Sequence, residues 1–284
     1  MPKHLSIATI AMAPNDNTIV NAHRIAQRIK ALKEAHPDID LIVYGEMILC
    51  HYVADDDYHK DCAVTMDSQA VQKLRDGCRD SAVNLSIGMV LREEDDIYNA
   101  QILLGRSGEI LSVHRKCNLT ASERQVFTKG DSPVTHCEVE GITVATSVCY
   151  DAFHPAFKAA IKAHHPHIFI HSLADPLNPH FATGHNGRQT VGYYISANRY
   201  GTEGKTDFCG HIAVVSPWGR IIALRHGRED VIIHRLTINP TPSRLTLLLR
   251  SVTCGMRLGF HYVRHWRRVW DYLKWDRRMK SKRA

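Results

Sequence analysis

The sequence lacks the features that mark several large classes of protein. No run of about 18 apolar residues occurs in the 284, so no segment is typical of a membrane-spanning helix. The N-terminal MPKHLSIATIAMAPND has a short apolar stretch interrupted by Pro14, which predicts a first strand and not a signal peptide. None of the eight cysteines forms a C-x-x-C pair, and there is no H-E-x-x-H among the 19 histidines. We therefore expect a cytoplasmic protein without disulfides, metal or cofactor.

The net charge of +7 is unevenly distributed along the chain. Residues 244–284 hold 12 of the 36 Lys and Arg residues and 2 of the 29 Asp and Glu residues, so this segment carries +10. Residues 1–243 hold the remainder and carry −3. The basic character therefore belongs to a C-terminal extension, and the body of the protein gives no reason to expect nucleic-acid binding.

Short apolar runs alternate with segments of helical period through residues 1–243, which we predict to be one domain. Strands alternating with helices, together with adjacent strand–turn–strand pairs, favour a layered α/β domain with mixed sheets. Asn17 is expected to cap the first helix, which Pro37 ends. The predicted strands include 4–12, 40–46, 85–91, 142–151, 167–173, 192–199, 208–217, 219–224 and 230–236, with a hairpin turn at 106–108.

Three reactive side chains lie at or near the ends of predicted strands: Glu46, Lys116 and Cys149. Strand ends of an α/β sheet open onto the crevice where ligands bind. A thiol at a strand-to-helix turn can act as a nucleophile, a glutamate can take its proton, and a lysine can stabilise an oxyanion. Taken alone, the same residues are also compatible with two solvated charges and a buried cysteine.

The local sequences around these residues resemble the nitrilase superfamily of carbon–nitrogen hydrolases across nearly all of residues 4–236. Glu46 lies in LIVYGEM, similar to the family's strand-plus-glutamate motif, although Gly45 stands where proline is usual. Lys116 lies in HRKCNLTASERQVFTKGD, Cys149 lies in SVCYDAFHP, and ANRYG precedes FCGHIAVVSPWGRII. The four motifs occur in the family's order and at similar spacing, so the set is more specific than any one of them.

The resemblance implies an α-β-β-α sandwich and a Glu–Lys–Cys triad. By position, Glu46 is the general base and Cys149 the nucleophile that forms a thioester acyl-enzyme. Lys116 and the backbone N–H of Tyr150 stabilise the oxyanion. Glu123 matches a second glutamate that positions substrate and orients the lysine; the alternative is a surface acid that caps a helix. Asp151 is expected to be structural, and the expected pocket residues are Tyr52, Ser172 and Leu173.

The implied activity is hydrolysis of a small linear amide or an N-carbamoyl compound, with release of ammonia or an amine. Nitrile hydrolysis is the alternative reaction, and a binding or scaffold protein that kept the fold is the alternative class. The mechanism needs no metal, because lysine and backbone donors can hold the charge that a Lewis acid would otherwise stabilise. Family members commonly associate, so we also expect a homodimer or a higher homo-oligomer.

The basic extension, 244–284, contains three of the four tryptophans. Apolar and aromatic residues recur at three- and four-residue spacing, which predicts an amphipathic helix with one such face: Leu258, Tyr262, Trp266, Trp270 and Leu273. That helix could pack on the body or a partner subunit, or could make a peripheral contact through 258–283 with the inner membrane surface. Nucleic-acid binding is a third alternative and is not expected. Residues 244–252 are predicted to be a separate apolar segment that docks on the body.

Overall fold

The computed structural model describes residues 2–53, 56–176, 183, 185–239 and 242–264. Five α-helices and fourteen strands are assigned within these residues. The helices are α1 (Thr18–Ala35), α2 (Asp56–Asp61), α3 (Gln69–Ser81), α4 (Phe157–Ala163) and α5 (Arg244–Arg264). The strands are β1 (Lys3–Ala11), β2 (Ile39–Val43), β3 (Asn84–Glu93), β4 (Asp96–Leu104), β5 (Ile110–Arg115), β6 (Thr135–Val139), β7 (Ile142–Val148), β8 (Ile168–Leu173), β9 (Tyr193–Asn198), β10 (Tyr200–Glu203), β11 (Thr206–Cys209), β12 (Ile212–Val215), β13 (Ile221–Arg225) and β14 (Asp230–Ile238).

Two six-stranded sheets form the centre of the fold. The first has the order β14-β1-β2-β3-β4-β5, and the second has the order β13-β12-β9-β8-β7-β6. Each contains three adjacent parallel strands, β1–β2–β3 in the first and β7–β8–β9 in the second, with antiparallel strands on both sides. The mixed sheets predicted from the alternating pattern are therefore present twice.

Apolar side chains divide the molecule into four layers. Residues of β1, β2, β7, β8, β9, β12 and β14 form a buried cluster that includes Ile7, Val43, Val144 and Ile170, and this cluster fills the space between the sheets. The outer face of the first sheet packs against α1 and α3, and that of the second sheet packs against α4. The arrangement is an α-β-β-α sandwich, which confirms the expected fold class.

The first helix begins and ends where the sequence predicts. The side chain of Asn17 accepts a hydrogen bond from the backbone N–H of Val20 at 3.1 Å, which satisfies one of the first-turn donors. The helix ends at Ala35, two positions before Pro37. Its buried residues, Ala22, Ile25 and Ile29 among them, face the first sheet.

Three strand predictions differ from the structure. The strand predicted over 142–151 ends at Val148, because Cys149 begins a 3-10 helix. The strand predicted over 40–46 ends at Val43, so Glu46 lies in the loop that follows β2. The strand predicted over 208–217 is divided into parts of β11 and β12, because Gly210 adopts a φ of +62° between them. Strands β6 and β10 and helix α2 were not predicted, since each is short and has little periodicity.

The C-terminal extension also differs from the prediction. Residues 244–264 form one continuous helix, α5, so 244–252 is not a separate segment. Leu258 and Tyr262 are half-buried on its inner side, and the Tyr262 hydroxyl is hydrogen-bonded to His185. Trp266, Trp270 and Leu273 lie outside the described residues. Within the described part of the chain, no helix combines the length and the apolar character needed to cross a membrane.

Candidate active site

A buried ammonium lies between two buried carboxylates beyond the ends of strands β2 and β5 of the first sheet. The Nζ atom of Lys116 donates to Oε1 of Glu46 at 2.7 Å and to Oε1 of Glu123 at 2.6 Å. All three side chains are at least 96% buried, since none exposes more than 4% of its surface. Two carboxylates and one ammonium leave the group with a charge of about −1 when all are ionised.

Three separate elements deliver these side chains. Glu46 lies in the loop after β2, and its backbone N–H donates to the carbonyl of Leu173 at the end of β8, at 3.2 Å. Lys116 directly follows β5, and its N–H donates to the carbonyl of Asn99 at 2.8 Å, which continues the pairing with β4. Glu123 opens a short 3-10 helix, and its Oε2 accepts the N–H of Thr120 at 2.8 Å.

Two neutral side chains donate further hydrogen bonds to the carboxylates, and Oε2 of Glu46 accepts none from the described residues. Nδ2 of Asn99 donates to Oε1 of Glu46 at 2.7 Å and to Oε1 of Glu123 at 3.1 Å. The hydroxyl of Tyr52, one of the expected pocket residues, donates to Oε1 of Glu123 at 2.9 Å. Sequence reasoning missed Asn99; its only signal was one of two polar residues, with Gln101, inside the largely apolar YNAQILL segment.

Cys149 occupies a strained position at the turn after β7. Its φ of +45° is uncommon for a residue with a side chain, and the chain passes directly into a 3-10 helix, Cys149–Phe153. The backbone of Ala174 hydrogen-bonds the thiol, and the carbonyl of Cys149 accepts Nε2 of His171 at 2.9 Å. Leu173 accepts a hydrogen bond from the backbone of Glu46, and Ala174 hydrogen-bonds the thiol of Cys149. The end of β8 therefore connects the loop that carries Glu46 to the turn that carries Cys149.

The electrostatics favour a neutral thiol beside a charged lysine. Burial raises the pKa of Cys149 well above its usual value, and the negative charge of Glu46 raises it further. Burial also raises the pKa of Glu46, despite the opposing effect of Lys116. Burial opposes the charge of Lys116, but the two glutamates hold its pKa well above the usual value. For Glu123, the ion pair with Lys116 outweighs burial and lowers the pKa.

Asp151 fastens the Cys149 turn to the loop that carries Lys116. Its Oδ1 accepts the backbone N–H groups of Cys117 at 3.0 Å and Asn118 at 2.6 Å. Its Oδ2 lies 2.8 Å from Nε2 of His114 on β5. The side chain is fully buried and joins the two sheets, which agrees with the structural role expected for it.

A second buried ion pair supports the backbone around Glu46. Arg199, which follows β9, donates from Nε to Glu203 at 2.6 Å and from Nη1 to the carbonyl of Glu46 at 3.1 Å. Its Nη2 donates to the carbonyl of Cys50 at 2.7 Å, and Glu203 accepts the N–H of Tyr52 at 2.7 Å. The motif ANRYG indicated this segment, but sequence reasoning assigned Arg199 no contact.

The remaining expected site residues lie close to this group in supporting positions. Tyr150 is buried, and its carbonyl accepts Nδ2 of Asn118 at 2.8 Å. Ser172 is fully buried, and its hydroxyl donates to Oε1 of Gln101 at 2.7 Å. Leu173 is also buried, and its carbonyl accepts the N–H of Glu46.

A cavity of about 490 Å³ opens beside Tyr52 and Glu123. Val126 and Phe127 supply apolar surface on one side, and Glu203 and Lys205 supply charged groups among its lining. The cavity lies on the side of the carboxylate cluster where Tyr52 and Glu123 meet, so it gives a small polar molecule a route toward Glu123.

The sequence model of the carbon–nitrogen hydrolases matches residues 6–241, most of the chain. The chain belongs to the carbon–nitrogen hydrolase family. A probable nitrilase of Schizosaccharomyces pombe is 25% identical over 245 residues, which cover 82% of this chain and 89% of the relative. The 2-oxoglutaramate amidase of Bacillus subtilis is 24% identical over 174 residues, covering 59% of this chain and 67% of the relative. The crystal structure of an amidase from Nesterenkonia sp. has a TM-score of 0.73 at 21% identity, covering 82% of this chain and 90% of that one.

Membership identifies the protein as a hydrolase acting on carbon–nitrogen bonds and confirms the resemblance to the nitrilase superfamily. The Glu46, Lys116 and Cys149 motifs all lie inside the matched residues.

One group in the described part of the hydrolase could hold a metal ion: Cys50, His59 and Cys62. Sequence reasoning expected no metal, because the chain has neither an H-E-x-x-H motif nor a C-x-x-C pair, and it did not group these three residues. The structure brings these residues together by placing α2 against the loop after Glu46.

Proposed function

We propose that the hydrolase cleaves the carbon–nitrogen bond of a small linear amide or N-carbamoyl compound through a thioester on Cys149. The observation that carries this proposal is the position of Lys116, hydrogen-bonded to both Glu46 and Glu123 beside the half-buried Cys149. Such an arrangement supplies a proton acceptor, a fixed positive charge and a nucleophile together.

In the first half of the reaction, Glu46 takes the thiol proton as Sγ of Cys149 attacks the carbonyl carbon. Lys116 and the backbone N–H of Tyr150 stabilise the negative charge that develops on the carbonyl oxygen. Collapse of the tetrahedral intermediate breaks the carbon–nitrogen bond, and Glu46 returns its proton to the leaving nitrogen. Ammonia or an amine departs, and the acyl group remains on sulfur as a thioester.

In the second half, Glu46 takes a proton from water while the oxygen attacks the thioester carbon. The carbon–sulfur bond breaks, the carboxylic acid leaves, and the thiol regains its proton from Glu46. The thiol, the glutamate and the lysine are then in their initial states, so one water is consumed in each turnover.

The pKa directions agree with these roles. A thiol with a raised pKa is protonated in the resting site, so an adjacent base is required to activate it. The raised pKa of Glu46 brings its proton affinity closer to neutrality, where a general base is most effective. The lowered pKa of Glu123 keeps that carboxylate ionised and holds Lys116 charged.

The relatives support an amide substrate and also name the alternative. One is a 2-oxoglutaramate amidase, and a cysteine-to-alanine variant of the Nesterenkonia amidase is known in complex with butyramide. A glutamate-to-glutamine variant of the same amidase carries the acetamide moiety of fluoroacetamide covalently on its active-site cysteine, which supports a nucleophilic thiol. The probable nitrilase of S. pombe favours nitrile hydrolysis as the second candidate. A thioester intermediate serves both reactions, so the substrate must be distinguished by assay.

The test is ammonia release from matched amides, N-carbamoyl amines and nitriles that share the same acyl group. We expect turnover of the amide or carbamoyl compound and an acyl adduct on Cys149 in the quenched reaction by mass spectrometry. Cys149→Ala should lower turnover by about 10⁴-fold or more and carry no adduct. Cys137→Ala, at a half-buried cysteine on β6, is the matched control and should retain both. An active Cys149→Ala protein, or an adduct on another cysteine, would contradict the proposal.

A further inference from the structure

We propose that Cys50, His59 and Cys62 form a zinc site adjoining the active-site loop. Their ligand atoms all lie within 4.8 Å of one another. Tetrahedral zinc with Zn–S of about 2.3 Å and Zn–N of about 2.0 Å requires S···S of about 3.8 Å and S···N of about 3.6 Å. Nδ1 of His59 already lies 4.0 Å from Sγ of Cys62. For zinc to bind, each pair of ligand atoms would therefore have to approach by about 1 Å at most.

The hydrogen bonding of His59 leaves Nδ1 of its ring available to bind a metal. Its Nε2 lies 2.7 Å from the carbonyl of Val53, which can only accept, so Nε2 carries the proton of the neutral ring. Nδ1 is then the atom with a free lone pair, and it faces Cys62. A histidine ligand that donates its other N–H to a backbone carbonyl is the usual arrangement at protein metal sites.

Two elements present the three ligands in a fixed relation. His59 and Cys62 are three residues apart along one helical turn, since the N–H of Cys62 donates to the carbonyl of Tyr58 at 3.0 Å. Cys50 lies across from them in the loop after Glu46, where its carbonyl accepts Nη2 of Arg199. Cys50 and His59 are buried and Cys62 is half-buried, so a fourth ligand can be a water at the exposed side.

Two thiolates and one imidazole are a ligand set that favours zinc over magnesium or calcium. Bound zinc would cross-link α2 to the segment 47–53, which connects Glu46 to Tyr52. Its ligands make no hydrogen bond to Lys116, Glu46 or Glu123 in the described structure, but His59 lines the cavity that opens beside Tyr52 and Glu123. The effect of bound zinc would be to hold the active-site loop.

The test is metal titration of the full-length, fully reduced chain carrying Cys149→Ala, so that the nucleophile supplies no thiolate. We expect one equivalent of Zn²⁺ to bind, Co²⁺ to give a thiolate-to-cobalt charge-transfer band, and the unfolding temperature to rise with metal. Cys62→Ser and His59→Gln should each weaken binding at least tenfold, and Cys137→Ser should leave it unchanged. Unaltered binding in Cys62→Ser and His59→Gln would overturn the proposal. So would reduced protein that binds neither metal.

The outer face of α5 is apolar and exposed. Seven large apolar side chains on this helix are 49% to 80% exposed, and they lie within a stripe about 120° wide at 100° per residue. They are Leu245, Leu248, Leu249, Val252, Met256, Phe260 and Val263. The opposite side packs on the body through Cys254 and His261.

We infer that this face of α5 lies on an anionic lipid surface. The helix contains four arginines and no acidic residue; Arg244 and Arg264 are exposed, whereas Arg250 donates to the carbonyl of Val191 on the body. Apolar side chains beside basic ones are typical of interfacial helices, because the former enter the acyl boundary and the latter attract anionic headgroups. A second copy of the chain would instead bring two cationic helices together, which like-charge repulsion disfavours.

The test is co-sedimentation of the full-length protein with phosphatidylcholine vesicles, with and without phosphatidylglycerol. We expect binding only to the anionic vesicles, weaker binding at high salt, and a loss of at least tenfold in the double variant Leu249→Glu/Phe260→Glu. Val20→Glu, at a residue on α1 that is 42% exposed, is the matched control and should bind normally. Absence of vesicle binding would overturn the inference. A double variant that changes a dimer into a monomer while still binding vesicles would assign the face to a second copy.

Discussion

Nη1 of Arg199 donates a hydrogen bond to the backbone carbonyl of Glu46 at 3.1 Å. Arg199 follows β9 in the second sheet, and Glu46 follows β2 in the first, so this contact fixes the position of the proposed base across the sandwich. The guanidinium is fully buried and its charge is balanced by Glu203. The position of the carboxylate at 46 therefore depends on an ion pair that takes no part in the chemistry.

Arg199→Met should destabilise the protein by about 3–5 kcal/mol, because it leaves the buried carboxylate of Glu203 without a partner. It should also lower kcat, since the loop that carries Glu46 loses donors to its backbone. Urea unfolding and steady-state kinetics measure the two effects. The double variant Arg199→Met/Glu203→Gln should recover part of the stability, because no uncompensated charge remains. Equal stability of the single and double variants would show that the pair is not the cause.

Asn99→Ala should shift the acid limb of the kcat/KM profile to higher pH. The amide of Asn99 stabilises the ionised form of Glu46, so its removal raises the pKa of that carboxylate further. Below the new pKa more of the base is protonated and inactive, so the activity is lost at a higher pH than in the wild type. We expect kcat to fall by about 10–100-fold as well.

The control for Asn99 is Gln101→Met, which removes another buried amide of β4 whose hydrogen bonds go to Tyr44, Ser86 and Ser172. It can cost stability, but it should leave the acid limb in place. A profile that moves equally in both variants would indicate general loosening of the strand.

Gly88→Ala should destabilise the protein by about 1–3 kcal/mol and reduce kcat. A Cβ at position 88 would lie 2.4 Å from the backbone nitrogen of Met47 and 2.5 Å from the carbonyl oxygen of Gly45. The loop that carries Glu46 would have to move away from β3, since both contacts are with backbone.

Gly77→Ala on α3 is the matched substitution. Its Cβ would lie 3.4 Å from Cβ of Ala26, an ordinary contact, and alanine favours the helix over glycine by about 1 kcal/mol. We therefore expect it to be neutral or stabilising and fully active. Chemical denaturation of the two variants side by side gives the comparison; equal destabilisation would contradict the assigned role of Gly88.

His171 should make the free energy of unfolding depend on pH. Burial lowers its pKa from 6.5 to about 4, so between these values the unfolded chain binds more protons than the folded one. The contribution of neutral His171 to the free energy of unfolding is therefore fully present above about pH 6.5 and is lost as the pH falls toward 4. From pH 7 to pH 5 the loss should be about 2 kcal/mol.

His171→Gln keeps a donor for the carbonyl of Cys149 and removes the titration. Urea unfolding at pH 7 and pH 5 should show a smaller acid loss for the variant than for the wild type. Burial also lowers the pKa of His185 to about 4. His185 is present in both proteins, so its effect on the free energy of unfolding cancels in the comparison. An identical acid loss in both proteins would exclude His171 as a source.

Much of the architecture was predictable because it depends on local patterns. The alternation of apolar runs with helical segments indicated a layered α/β domain, and the cap at Asn17 placed the start of α1. The motifs around Glu46, Lys116 and Cys149 indicated the family, since each is a short run of residues readable without the fold. Glu123 was found in the same way, seven residues after Lys116.

The supporting residues were not predictable because their partners are distant in sequence. Asn99 is 53 positions from Glu46, and Arg199 is 153 positions from it, so neither contact leaves a local pattern. The grouping of Cys50 with His59 and Cys62 likewise depends on how α2 packs. The helical period of 244–264 was visible, but which face meets the body was decided by docking of the helix.

The fold class, the family and the order of the reactive residues could be read from the amino-acid sequence alone, because periodicity and short motifs are properties of neighbouring residues. Tertiary packing was needed to establish which charges meet, how deeply Glu46, Lys116 and Glu123 are buried, and which apolar side of α5 is exposed. The pKa directions belong to this second group, since they arise from desolvation and from partners that strand pairing and sheet packing bring together.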